Sequence, residues 1–362
     1  MKNPYFILPL VALALLVATT AGWLRLGISF PISVNAGEHG AMMVGSFLGT
    51  LISLERAVVI KKNWAYLTPL LSGISTFFFL THLSLVAYVL LAAASLGYAI
   101  MLYYLYQRHE ERHMLVMIAG AICWLIGNLL LIKSQLYPLA VSWWIAFLLL
   151  TIAGERLELS RFLPDSKFKS NSFLLAITIF LLGLVFPFHG MGRMVFGSGL
   201  ILMGVWLYRY DIARISIRKE ELTKFVAASL LCGYFWLIVC GALCLLSDFY
   251  YDAVLHSFFI GFVFSMIFAH GPIILPGVLK LSAKPYHPIL YLWLLGLQLS
   301  LALRITGSIG GIYELHQWSG LFNGLLIFAY LLSIGTIAVR QNLKTKRLLS
   351  CQKRYCHERY TG

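Results

Sequence analysis

Long apolar runs alternate with short polar breaks along the whole chain, and the runs repeatedly reach the roughly twenty residues that a helix needs to cross a bilayer. In order they cover roughly 5–23, 39–60, 64–81, 83–106, 114–132, 138–155, 172–189, 191–208, 225–246, 253–279, 288–305 and 316–339. The breaks are too short for a separate soluble domain, and short loops favour antiparallel neighbours. The pattern predicts an all-α protein, a polytopic membrane bundle of about 12 transmembrane helices forming one domain over 1–340, with a basic tail over 341–362. The first run could also be a signal peptide, since Lys2 precedes it and Ala21 lies near its end, but a neat small-residue cleavage site is missing and it reads as span 1.

Composition agrees: 60% of the residues are hydrophobic and 12% charged. The formal net charge of +14 would suggest nucleic acid in a soluble protein, so its placement decides its meaning. One set of loops holds Arg56, Lys61, Lys62, Arg108, Arg112, Arg156, Lys280 and the tail, whereas the other holds only Arg25, Lys133, Arg193 and Arg304. The positive-inside rule then puts both termini in the cytoplasm, and no nucleic-acid partner is expected. Cys123, Cys232, Cys240 and Cys244 fall inside spans and Cys351 and Cys356 in the tail, which is no extracellular disulfide framework. The tail's "CQKRYCH", ending at His357, has neither zinc nor haem-attachment spacing and reads as solvated chain.

With this topology His39, His82, His189, His256 and His316 all lie at the outer ends of spans; only span 6 lacks one, having Tyr137 and Trp143 there. His82 and His189 are satisfied as ordinary interfacial histidines. "HGAMMVGSFLGTLI" and "HSFFIGFVFSMIFA" each follow the histidine with glycine and phenylalanine, Gly45 with Phe47 and Gly261 with Phe262, so His39 and His256 read as two walls of one pocket. His270 lies deeper, about 21 Å along the helix from His256 but on nearly the same face. An ionisable group at that depth marks either a helix-to-helix hydrogen bond or a proton path. At the opposite ends, "SLERAV" and "AGERLEL" place Glu55-Arg56 and Glu155-Arg156 four spans apart, as interfacial ion pairs or proton-entry groups that hint at four-helix units.

Neutral imidazole suits haem iron, copper or zinc without adding charge to an apolar site. Haem propionates call for arginine, which makes Arg304, Arg193 and Arg25 candidates, although each could equally snorkel at the interface. Twelve spans, histidines opening spans 2 and 10, and an arginine before span 12 resemble subunit I of the haem-copper oxidases. His256 with Gly261 and Phe262 is similar to the His-x4-Gly-Phe pattern of the NnrS family. The resemblance implies haem b, with copper as a further cofactor, and a part in the bacterial response to nitric oxide and nitrosative stress. It also implies the inner membrane, with lipid, a small diatomic ligand and an electron donor or assembly factor as partners. Carried over position by position, His39 and His256 become ligands, Arg304 a propionate partner, and His316 a further metal ligand. Span 6 has no histidine and no His-His pair occurs, so a three-histidine copper site of the oxidase kind cannot be assembled and oxygen reduction is not expected.

Two other readings remain open. Pro272 and Pro276 would break span 10 and expose backbone to a substrate, with His270 as the coupling group of a proton-driven secondary transporter. A cofactor-free assembly factor would use the histidines and arginines only to anchor helix ends. No phosphate-binding glycine loop, nucleophile elbow or zinc-protease helix occurs, which argues against soluble-enzyme chemistry.

Overall fold

The computed structural model describes residues 6–31, 34–164, 166–279 and 284–360. Lys2, which precedes the first run, Lys280, used above for orientation, and the side chains of Cys351, Cys356 and His357 lie outside the described residues. The described chain is helical, with no strand. Its long helices are α1 (Leu8–Arg25), α2 (Ala36–Ile60), α3 (Leu67–Leu80), α4 (Ser84–His109), α5 (Arg112–Ser134), α6 (Tyr137–Ser160), α7 (Lys167–Val185), α8 (Gly192–Tyr210) and α9 (Glu221–Leu245). Then come α10, which runs from Tyr251–His256 through Ser257–Phe264 into Ser265–Leu279, α11 (Ile289–Gly310) and α12 (Tyr313–Tyr360).

Each predicted apolar run falls on one of these helices. Ten of the described helices are long and apolar enough to cross a membrane. The other two differ for visible reasons. The α3 helix has only 14 residues, and α8 is studded with glycines and carries Arg193 and Arg209 near its ends. Those glycines serve packing: a Cβ on Gly199 would press against the Phe180 backbone at 2.5 Å, so at this point the α8 backbone lies directly against α7.

Consecutive helices pack as neighbours from α3 to α6 and from α7 to α9, and α11 packs on α12. The buried share is highest in α6 (78%), followed by α2 and α10 (61% each), so these three form the centre of the bundle. Two of them, α2 and α6, carry the Glu-Arg doublets that recur four spans apart, and α10 carries His256 and His270.

Two central helices depart from α geometry. Residues Met42–Gly49 of α2 and Ser257–Phe264 of α10 are π-helical, beginning shortly after His39 and His256. A wide turn leaves carbonyls short of their usual amide partners, and in an apolar interior something must replace them. In α2, Ser72 Oγ donates to Gly45 O at 2.7 Å and Ser53 Oγ to Gly49 O at 2.5 Å. Gly45 and Gly261 let neighbouring helices approach closely: Gly45 admits Leu91 of α4, and Gly261 admits Trp236 of α9.

The prolines of α10 do not break it either, since the helix continues through Pro272 and Pro276 to Leu279. Pro272 offers no N–H to Phe268 O. The Tyr330 hydroxyl of α12 donates to that carbonyl instead, its ring stacked on Phe268. Tyr330→Phe is therefore expected to cost about 1–3 kcal/mol in thermal or denaturant unfolding, and much less in a Pro272→Ala background, where an amide is restored. An equal cost in both backgrounds would show that the hydroxyl does not stand in for the amide.

Candidate functional site

Where α2 and α10 begin and α1 and α11 end, the helices enclose a cavity of about 500 Å³. His39, His256, Arg304 and His316, singled out separately in the sequence, all line it, together with Arg25. Trp144 of α6 supplies an aromatic wall where that helix lacks a histidine.

Each key imidazole is fixed by its Nδ1 edge. Asn35 accepts the Gly37 N–H at 2.9 Å and opens α2 so that His39 points back at α1. There His39 Nδ1–H donates to Ala18 O at 2.7 Å. Gly22, one turn after Ala18, makes this approach possible, because a Cβ there would lie 2.7 Å from His39 Cε1. On α10, His256 Nδ1–H faces both the Asp252 carbonyl at 2.8 Å and its Oδ1 at 3.1 Å, one helical turn earlier. A carbonyl only accepts, so both rings carry their proton on Nδ1, and both Nε2 lone pairs are left without a hydrogen bond among the described residues.

Asp252 is the hub that the sequence reading missed. Besides His256, its carboxylate accepts from Arg304 through Nε at 3.2 Å and a terminal nitrogen at 3.0 Å, and from His316 Nε2 at 2.9 Å. Arg304 and His316 thus hold the carboxylate that orients His256, and His316 has committed one ring nitrogen to it. The only legible signal was an acid four residues before a histidine on one helix. Glu38, buried beside His39, was missed as well. It accepts hydrogen bonds from Tyr137 and, at 2.8 Å, from Tyr88, whose hydroxyls touch each other at 2.9 Å. At the cavity rim Tyr313 and Gln317 of α12 both donate to Leu26 O, at 3.0 and 2.7 Å, across a turn that Gly27 makes with φ +78°.

The cavity's floor includes Phe264, stacked on Phe47 with centroids 6.1 Å apart. The two rings stand at the same offset, eight residues after His256 and His39. Arg193 does not join this site: it donates to Ser247 O at 2.8 Å and lies over the Phe249 ring. His189 packs between Phe249 and Tyr251, where burial pushes its imidazole pKa down.

His270 belongs to the other end of the bundle. Its Nδ1–H donates to Met266 O at 2.6 Å and its Nε2 accepts from Arg156 at 2.6 Å. Arg56 is paired with Glu155 across helices, rather than each Glu-Arg doublet pairing within itself. Among the described residues no group of three or more His, Cys, Asp or Glu side chains is placed to hold a metal ion.

A family model described as a domain of unknown function (DUF8744) matches residues 5–339. The chain belongs to that family. No curated protein and no solved structure matches it.

The shared carboxylate predicts coupling between Asp252 and Arg304. Asp252→Asn and Arg304→Gln should each lower unfolding stability, and the double variant should lose less than the sum by about 0.5–3 kcal/mol. Additive losses in this cycle would mean that the pair does not act as one unit.

Proposed function

We propose that the protein is a membrane haem protein, with His39 and His256 as the residues that would hold haem b in the cavity. The donor set carries this reading. Two imidazoles present free Nε2 atoms to one apolar cavity, and among the described residues no group of three or more His, Cys, Asp or Glu side chains is placed to hold a bare metal ion. A bare zinc or copper ion needs three or four protein ligands, whereas a porphyrin brings its own four nitrogens and asks the protein for one or two. A cavity of about 500 Å³ is in the range of cofactor sites. Arg25 and Arg304 are the basic residues at hand for propionates. Copper, which the NnrS resemblance allows, has no such donor set, so the proposal rests on haem alone.

The chain's own groups would then do separate tasks. Ala18 O and Asp252 fix the ring orientation and tautomer of the two ligands, and the Asp252 carboxylate makes His256 the more basic donor. Trp144, Phe264 and the rest of the apolar wall keep water from the site. Bound haem would supply a one-electron centre and an iron able to take a diatomic ligand. His256 is tied at two oxygens and His39 at one carbonyl, so His39 is the less firmly held of the two imidazoles. The similarity to NnrS proteins supports nitric oxide as the incoming molecule. It also supports a role against nitrosative stress in the bacterial inner membrane, with about twelve spans and both termini cytoplasmic.

A proton-coupled secondary transporter is the second reading, favoured by the ionisable groups around His270. It loses one support, because α10 is continuous through its prolines.

Protein purified from haem-replete cells should show a Soret band. His256→Ala should abolish it, whereas His39→Ala should retain haem and bind nitric oxide faster. Gly22→Ala, which pushes on His39, should shift the band without unfolding the chain. A colourless, folded wild type would remove the haem reading and bring the transporter forward.

A further inference from the structure

The polar cluster at the far ends of α2, α6 and α10 is not used by the cavity. It gathers Glu55 and Arg56 from α2, Glu155 and Arg156 from α6, and His270 from α10. Tyr98 of α4 and Tyr234 of α9 flank it, and Asp211 closes it just after α8. With its carboxylates ionised and His270 neutral, three negative groups (Glu55, Glu155, Asp211) face two guanidiniums (Arg56, Arg156). In that state the cluster lacks one positive charge, which a proton on either Glu55 or His270 restores.

His270 is placed to supply it. Its Nδ1 proton is committed to Met266 O, so an incoming proton can be held only at Nε2, the atom that Arg156 now covers. Two donors cannot share that position, and protonation must release Arg156. A destination is ready. Asp211 is fully buried; its Oδ1 accepts the Ala213 N–H at 2.7 Å, while its Oδ2, near the Tyr234 hydroxyl, has no well-aligned hydrogen bond. The buried Tyr234 hydroxyl stands beside both Asp211 and Arg156, so it links the guanidinium's present position to its new one. Burial pushes the Asp211 carboxyl pKa up and Arg156 pulls it back, which places the guanidinium within its field.

We infer that this cluster is a proton-binding site in which uptake by His270 moves Arg156 from the imidazole to Asp211. One proton passes from water to Nε2, one hydrogen bond is exchanged for another, and nothing is oxidised or reduced. The groups facing the imidazolium are Glu155 and Arg156 from α6 and Arg56 with Glu55 from α2. Tyr330 from α12 is committed to Phe268 O, and Tyr234 faces from α9. Glu155 is the anion that the imidazolium meets once Arg156 has left. The site is independent of what the cavity holds.

Nitrogen NMR of the full chain in lipid nanodiscs, with labelled histidine and arginine, reads both partners; His270→Gln and Arg156→Gln assign the signals. Between about pH 8 and pH 5 the His270 Nε2 signal should pass from acceptor to protonated, and the Arg156 side-chain signals should move at the same midpoint. Asp211→Asn keeps an oxygen for Ala213 but removes the anion. It should weaken proton binding about tenfold and leave Arg156 without its new partner's shift. Arg156→Gln should strengthen proton binding by a similar factor. A His270 that stays neutral, an Arg156 signal that does not follow it, or an unchanged midpoint in Asp211→Asn would each overturn the inference. None of these readouts depends on haem.

Discussion

Backbone carbonyls in an apolar interior have only the protein to bond with, and much of this structure follows from how that demand is met. The π stretch of α2 is held by serine hydroxyls at Gly45 O and Gly49 O. The proline region of α10 is held by a tyrosine at Phe268 O. The same currency of side chain to carbonyl sets the chemistry, since Ala18 O orients His39 and Met266 O orients His270. In each case the carbonyl belongs to a turn opened by a glycine, a proline or a wide helical turn, or lies one turn before the histidine itself. Local irregularity and functional geometry are therefore one problem with one solution.

Electrostatics adds a second layer on that frame. Asp252 is surrounded by Arg304, His316 and His256, so an ionised carboxylate near an apolar cavity is balanced by neighbours from three helices. Glu38, on the facing side, has hydroxyl donors and no cation in its hydrogen bonds. The two sides of the cavity thus hold negative charge by different means, one by ion pairing and one by phenolic hydrogen bonds. A buried ion pair is retained at a desolvation cost, which makes it weak evidence for stability and better evidence for a fixed geometry.

Much of the architecture was legible in the apolar runs, because a bilayer-length helix is written in consecutive residues. The gathering of His39, His256, His316 and Arg304 was also legible, since counting helix reversals tells which ends lie together. Radial position was not. Arg193 shares that end but faces Ser247 and Phe249, and no count of spans distinguishes an inward arginine from an outward one. Asp252 was passed over because an acid in the first turn of a helix has an ordinary reason to be there. The prolines suggested a break because the hydroxyl that repairs it comes from Tyr330, far along the chain. Gly22 gave no signal at all, as its role exists only once α1 meets His39.

The stacked Phe47 and Phe264 rings have a consequence for electrical work. They lie between the cavity, with Asp252, Arg304 and His316 in its wall, on one side and a network of buried ions on the other, as a thin layer without charges or permanent dipoles. Polarisable groups on both sides flatten the field within their own regions, so a transmembrane voltage drops most steeply across the aromatic layer. A charge displaced from one side of those rings to the other crosses that drop, at about 2.3 kcal/mol per elementary charge for each 100 mV across the full membrane. The pair acts as the dielectric of a small capacitor built into the centre of the bundle.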